Sequence, residues 1–385
     1  MTKKIALLCS ADPNIFPPTI NAANILDENG YDVTIYGIKQ DTGENIKINK
    51  NVDIIYSSTI KNKKWHIFHI LYQIFFILFK GLSTRYHWVI SYDTIGALSG
   101  FILAISSNAK WYYHNHDLAL YNEYRGIYKI FKIAEMNLVK NFARLIVFPQ
   151  IDRAKIFKNE LHLPKAPLIV NNSPRKKWLK KSKAHNSLSM LRNQHDKIIL
   201  YQGTLFYGCG LDIFFEILEK CKTNVGMCII GKELHEGVRK TLNAKLVDLN
   251  IIDKVVFLDV ISYDDLNQIT GHCDLGIARL SQSRNDQLSD YYNAGASNKI
   301  FEYMAHGMPA IFSDTEPNRN FIELTSAGII IDLNDFVLSA AEIDKILADS
   351  KRYKKMSRKI KKLFLNEYNY DCQFQKVIDE FNLST

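Results

Sequence analysis

The stretch SNKIFEYMAHGMPAIFSD, residues 297–314, sets a single carboxylate, Glu302, inside an otherwise apolar helical pattern. Ser297 and Asn298 carry side chains that accept hydrogen bonds from exposed backbone N–H groups, and Lys299 to His306 are good helix formers. A helix is therefore predicted to begin near Asn298. Gly307 suits a left-handed cap and Pro309 cannot continue the helix, after which Ala310 to Phe312 reads as a buried strand. Loop, short helix, tight turn and strand make one unit of an α/β sandwich. Ile300, Phe301, Met304 and Ala305 form the buried stripe, leaving Glu302 one helical step round from Phe301. Glu302 then has two readings. It is an acid that faces water, or a carboxylate beside a helix N-terminus whose unpaired N–H groups and Lys299 offer an anion site. A ligand carrying phosphates and a sugar would meet both.

The same alternation runs outward in both directions. Upstream and downstream of the stretch lie KIILYQG (197–203), VGMCIIG (225–231), KVVFLDV (254–260), CDLGIARL (273–280) and AGIIIDL (327–333), short β-rich runs separated by helix-length segments. In the first half, KKIALLCSAD (3–12) reads as a first strand and loop, followed by helix, turn and second strand over 18–38. VDIIYSS (52–58), HWVISYDT (87–94), AKWYYHNHD (109–117) and ARLIVFPQ (143–150) continue the series. Such alternation predicts parallel sheets wrapped by helices. A polar, basic stretch from about Asn172 to Asp196 interrupts it, so two α/β domains of similar build are expected, joined near residue 185. Ligands of doubly wound sheets bind beyond the carboxyl ends of the strands, which makes the cleft between the two domains the expected site.

Composition narrows the function. The 385 residues, 47% hydrophobic and 23% charged, describe a folded globular protein. Lys3 and Lys4 lead into only a short apolar run, Ile5 to Cys9, not the core of a cleavable signal. The six cysteines show no CxxC spacing, as expected of core residues in a reduced cytoplasm rather than of zinc ligands or disulfides. Charge is uneven: up to His185 there are 26 Lys and Arg against 13 Asp and Glu, a net +13, whereas the remainder carries 23 against 27. Much of the excess sits in RKKWLKKSK (175–183), where Arg175, Lys176, Lys177, Lys180, Lys181 and Lys183 suit an anionic membrane, a nucleic acid or merely solvent. KKWHIFHILYQIFFILFKG (63–81) is too short and too interrupted to span a bilayer. It is a buried helix or an interfacial one, and the basic run at 175–183 favours the second. YQGTLFYGCGLD (201–212) puts Gly203, Gly208 and Gly210 between strand and helix, where backbone can approach a diphosphate, yet it is neither GxGxxG nor a Walker loop. The first β-α turn contains no glycine, which ranks a dinucleotide-binding oxidoreductase low.

These features together resemble a known family. NKIFEYMAHGMPAI (298–311) resembles the donor-site helix of retaining glycosyltransferases of family 4, which have the GT-B fold of two Rossmann-like doubly wound domains facing each other across a cleft. YQGTLFYGCGLD resembles that family's phosphate loop, the segment 257–280 its later strand-helix-strand, YYHNHDL (112–118) its histidine loop, and LIVNNSP (168–174) the strand closing the first domain. The similarity covers nearly the whole chain. It implies an acceptor-binding domain at 1–185, a nucleotide-sugar domain at 186–367, and a terminal helix, about 368–385, packed back on the first domain.

By the same resemblance Glu302 accepts hydrogen bonds from the ribose hydroxyls, since an ionised carboxylate offers two acceptor oxygens to a diol. Lys299, with Ser297, Asn298, Gly203 and Thr204, holds the diphosphate of a UDP- or GDP-linked donor. His116 faces the donor sugar, with His114 and Asp117 as second choices. The family's usual pattern has a second glutamate ahead of the first, but Ala294 stands at that position, and Asp290 is the candidate to reach instead. No cofactor or metal is implied. The expected function is transfer of one sugar to a glycan acceptor, lipid-linked, in surface polysaccharide assembly, by a cytoplasmic protein peripheral on the inner membrane face. A GT-B nucleotide-sugar epimerase and a decayed nucleotide-sugar-binding protein are the alternatives.

Overall fold

The computed structural model describes residues 2–9, 11–39, 47–59, 66–116, 123–180, 185–278, 280 and 298–383. The chain divides into two units, Met1–Asn172 with Tyr370–Thr385, and Ser173–Asn369. In the first, the β-branched runs form β1 (Lys4–Leu8), β2 (Asp32–Lys39), β3 (Asp53–Thr59), β4 (Trp88–Tyr92), β5 (Lys110–His114), β6 (Leu145–Phe148) and β7 (Leu168–Ile169). They pair in parallel in the order β3-β2-β1-β4-β5-β6-β7. Strand order reverses at β3, where the chain crosses back over β1. Right-handed crossovers therefore send α1 (Pro17–Glu28) to one face and α2 (His66–Ser83), α3 (Asp93–Ser107) and α4 (Gly126–Phe142) to the other. α2 packs on α3 and α3 on α4 in one layer. The opposite face is completed by the terminal helix Tyr370–Leu383, whose Tyr370, Phe374, Val377, Ile378 and Phe381 enter the same core as Ile20, Leu26 and Trp88.

The second unit holds β8 (Lys197–Gln202), β9 (Val225–Ile230), β10 (Val255–Leu258), β11 (Leu275–Ile277), β12 (Ala310–Ser313) and β13 (Gly328–Ile331). These also run parallel, in the order β10-β9-β8-β11-β12-β13. The α/β expectation of two doubly wound sheets is borne out. The boundary, however, lies at Asn172/Ser173 rather than near 185. The polar stretch is not all linker: Trp178, Leu188 and Leu191 are core residues of the second unit, packed with Ile198 and Met304. Hydrophobic anchors spaced through a basic run escape a reading that averages over it.

The helix from the opening stretch runs Lys299–His306, ends on Gly307 at φ 71° and leads into a strand buried throughout. Asn298 is the flanking residue but makes no side-chain capping bond, contrary to expectation. The buried stripe is wider than Ile300, Phe301, Met304 and Ala305 alone. Tyr303 is also buried, because its hydroxyl donates to the Ile277 carbonyl at 3.1 Å. Buried neighbours on both sides deny Glu302 a simple water-facing position.

The apolar helix α2 divides sharply. Gln73, Ile77 and Gly81 form its inner stripe, with Gln73 Nε2 donating to the Cys9 carbonyl at 2.8 Å, while the opposite face is exposed. No described helix is long and apolar enough to cross a membrane.

Candidate functional site

In the second unit, β8 lies where strand order reverses between β9 and β11, the point at which doubly wound sheets open a crevice at their carboxyl ends. Gln202 is the last residue of β8 and is buried. Its Nε2 donates to Glu302 Oε2, while its Oε1 is buried with no hydrogen-bond partner among the described residues. Burial pushes the Glu302 carboxyl up to about 7, against the opposing pull of the Gln202 hydrogen bond and of Lys299. The Lys299 ammonium stands over the Tyr201 ring, 4.3 Å from its centroid, and the Tyr201 hydroxyl donates to the Thr204 carbonyl at 3.1 Å. Gly203 adopts φ 143°, and a Cβ there would lie 2.9 Å from Lys299 Nζ.

Gly203 thus supplies space for Lys299 rather than a free donor, since its own N–H donates to the Ile230 carbonyl at 2.9 Å. Gly231 is the tighter position: a Cβ would meet the Gly203 carbonyl oxygen at 1.8 Å. Gly210, at φ 82°, leads into the helix Leu211–Lys220. Gln202, Gly203, Lys299 and Glu302 are therefore brought together, and Thr204 adjoins them through its carbonyl. A cation, a carboxyl that titrates near neutrality and an orphaned amide oxygen can receive an anion and hydroxyl groups side by side. Ser297, Asp290 and Ala294 lie outside the described residues. Gln202 was not anticipated, although its place at the end of the strand that opens the unit was readable.

In the first unit the corresponding reversal lies between β1 and β4. Asp93 follows β4 directly, at φ 53°, as the first residue of α3. Gly96 lets that helix end approach the sheet, for a Cβ there would stand 2.8 Å from the Leu8 carbonyl oxygen. His116, just after β5, donates its backbone N–H to Asp93 Oδ1 at 2.7 Å, and its Nδ1 lies 3.2 Å from Oδ2. The imidazole is stacked between Tyr92, at 4.8 Å, and Phe16, at 5.8 Å, with ring planes within 3° and 2°. Arg153 donates to the His116 carbonyl at 2.8 Å.

Burial would raise the Asp93 carboxyl, but the His116 charge and hydrogen bonds outweigh it and hold Asp93 below the usual range. An ionised Asp93 accepts from Nδ1–H, which leaves Nε2 as the ring atom turned away from it, and Nε2 is buried with no hydrogen-bond partner among the described residues. His114 is instead a core residue, fully buried, its pKa depressed well below normal by burial and then by His116, with the Tyr112 hydroxyl 3.0 Å from its Nδ1. Asp117 lies outside the described residues. HWVISYDT by itself reads only as a strand, and the link of Asp93 to His116 is visible only in the fold.

The basic run behaves differently from its expectation. Arg175 is buried, Lys180 pairs with Asp264 at 3.1 Å, and Lys176 and Lys177 are exposed, while Lys181 and Lys183 lie outside the described residues. From Ser173 onward these residues belong to the second unit, so the run does not share a domain with α2. Among the described residues no three His, Cys, Asp or Glu side chains gather as a metal site.

Residues 182–363 match the model of the family described as glycosyl transferases group 1. No curated protein matches the sequence. Among solved structures, HepE of Anabaena in complex with UDP is 15% identical over 99% of this chain and 100% of its own, with TM-score 0.75. A sucrose-phosphate synthase from Thermosynechococcus elongatus is 14% identical over 100% of both chains, TM-score 0.76. WaaG, a glycosyltransferase involved in lipopolysaccharide biosynthesis, is 12% identical over 98% of this chain and 99% of its own, TM-score 0.67. Identities this low speak to fold, and the fold match spans both units. The second unit, which brings Gln202, Gly203, Lys299 and Glu302 together, thus matches the glycosyl transferases group 1 model over 182–363, on a chain with the GT-B fold.

Proposed function

We propose that this protein is a retaining glycosyltransferase of family 4 that moves a sugar from a UDP- or GDP-linked donor to a lipid-linked glycan acceptor in surface polysaccharide assembly, at the inner face of a membrane. The observation that carries the reading is the grouping of Gln202, Lys299 and Glu302 around Gly203. In this reading Glu302 and the Gln202 amide oxygen face the ribose hydroxyls, and Lys299 neutralises the diphosphate. HepE, of the same fold, binds UDP, which supports a nucleotide in that place. Charge builds on the departing phosphate as the bond to the anomeric carbon breaks, and a preformed cation stabilises that charge more in the transition state than in the bound donor. The acceptor hydroxyl forms its bond on the same face, and the leaving phosphate oxygen takes its proton. Asp93 holds His116 with Nε2 available to accept a hydrogen bond from a sugar hydroxyl. Lys299 supplies positive charge without requiring a metal. The neighbour WaaG, involved in lipopolysaccharide biosynthesis, supports a surface glycan as product class.

The test is a thermal-shift panel of nucleoside diphosphates and their sugars, since ligands that bind only the folded state raise its stability. One base series should stabilise the protein, and product analysis with glycolipid acceptors should show an unchanged anomeric configuration. Sugar altered without any acceptor would instead establish an epimerase. Tight donor binding with no product across acceptors would establish a binding protein.

A further inference from the structure

The outer face of the α2-α3-α4 layer carries side chains that a water-facing surface does not ordinarily collect. On α2, Leu71, Phe75, Phe79 and Leu82 fall on one stripe and are 52%, 59%, 57% and 70% exposed. Ile105 on α3 and Ile130 on α4, each 64% exposed, extend the same layer. An apolar surface of this breadth marks an interaction site. Its charges identify the partner. The three helices contain only two carboxylates, Asp93, held by His116, and Glu135, fully buried and paired with Lys132 at 2.8 Å. The exposed charges of α4 and of the helix borders are mainly cationic: Lys129 and Lys140 on α4, Arg125 at its start and Arg85 just after α2, against the single carboxylate Glu123 two residues before Arg125. Lys80 lies over the Phe76 ring at 5.6 Å.

We infer that this layer is a membrane-seating surface, lying in the interface of an anionic bilayer with the α2 stripe among the acyl chains and the cations at the headgroups. A second copy of the chain fits less well, because self-pairing would bring the same cations together with only Glu123 of each copy to answer them. The assignment replaces the run at 175–183, whose Arg175 is buried and whose Lys180 is already paired. It deepens the proposed reading, giving a lipid-linked acceptor a fixed approach to the first unit. The surface itself stands on exposure and charge alone.

The test uses the full chain with vesicles of phosphatidylcholine alone and with about one third phosphatidylglycerol, at low and high salt. Wild type should partition to the anionic vesicles, and Phe75→Ser with Phe79→Ser should lower the partition coefficient about tenfold or more. Lys80→Glu with Lys140→Glu should remove the preference for anionic lipid. Donor-induced thermal shifts without vesicles should stay unchanged in both, which shows that the variants fold and separates this surface from the donor site. Loss of those shifts in wild type would sink the enzymatic reading and leave the vesicle result standing. The inference is overturned if the apolar double variant binds like wild type, or if Lys354→Glu with Lys355→Glu in the basic helix Ser350–Leu363 abolishes binding that the α2 variants leave intact. It is equally overturned if wild type is a dimer that the apolar variant dissociates without any change in lipid binding.

Discussion

Glu302 is open to a direct experiment, because burial pushes its carboxyl up to about 7, where mild changes of pH switch its charge. If ribose hydroxyls donate to it, only the ionised form offers both oxygens, and donor binding must expel whatever proton the carboxyl holds. From about pH 8 to pH 6 the ionised fraction of such a group falls from roughly nine-tenths to one-tenth, which weakens donor affinity about tenfold, or about 1.4 kcal/mol. A nucleoside-diphosphate sugar is the ligand to use, since its phosphate esters do not titrate in this interval. Calorimetry in buffers of different ionisation enthalpy would show proton release on binding below neutrality. Glu302→Gln should bind more weakly at pH 8 and show no pH dependence. A wild-type affinity that is flat from pH 8 to 6, or a Gln variant with the same slope as wild type, would refute the placement of the ribose at Glu302.

The same raised carboxyl has an opposite consequence for the ligand-free fold. Between its ordinary 4.5 and about 7 the folded state holds a proton that the unfolded chain has lost, so the contribution of Glu302 to stability falls as pH rises through that window. Glu302→Gln should therefore stabilise the apo protein by about 2 kcal/mol at pH 8 and by nearly nothing at pH 4, read from denaturant midpoints. Gln202→Leu removes the hydrogen bond that favours the ionised form, so the midpoint of the donor pH profile should move to higher pH, and an unmoved midpoint would deny that link. His116→Ala should lower turnover about a hundredfold with nucleoside-diphosphate affinity unchanged, and Asp93→Asn about tenfold; a collapse of nucleoside-diphosphate affinity in either would show that they belong to the nucleotide site instead. Gly231→Ala should cost about 3 kcal/mol in unfolding free energy, because its Cβ would fall 1.8 Å from a backbone oxygen, and a change below about 1 kcal/mol would mean the loop yields.

The fold was legible because its strands are short, almost continuously apolar runs whose spacing leaves room for a crossover helix each time, and buried parallel strands have few other ways to be written. Lys299, Glu302 and Gly203 were legible for a related reason: each stands at the end of an element or in its first turn, where sequence punctuation is densest. What escaped was whatever depends on which strand lies beside which. Gln202 and Glu302 are a hundred residues apart and meet only because β8 and the Lys299–His306 helix share one end of a sheet. Asp93 and His116 meet because β4 pairs with β5 in a register that sets Tyr92 opposite His114.

Charge was misread for a different physical reason. A net −4 over the second half conceals the helix Ser350–Leu363, with eight exposed lysines and arginines, while the conspicuous run at 175–183 is anchored by Trp178 and partly neutralised. Electrostatic attraction to a surface depends on which charges share a face within about one screening length, roughly 10 Å, and not on sums along the chain. By that criterion the run at 175–183 is a weak candidate for a lipid-facing surface, and what favours the α2-α3-α4 layer is its apolar stripe. Its cations are fewer than those of the helix Ser350–Leu363, but it sets an exposed apolar stripe in the same layer, which gives a bilayer something to hold once salt has screened the charge.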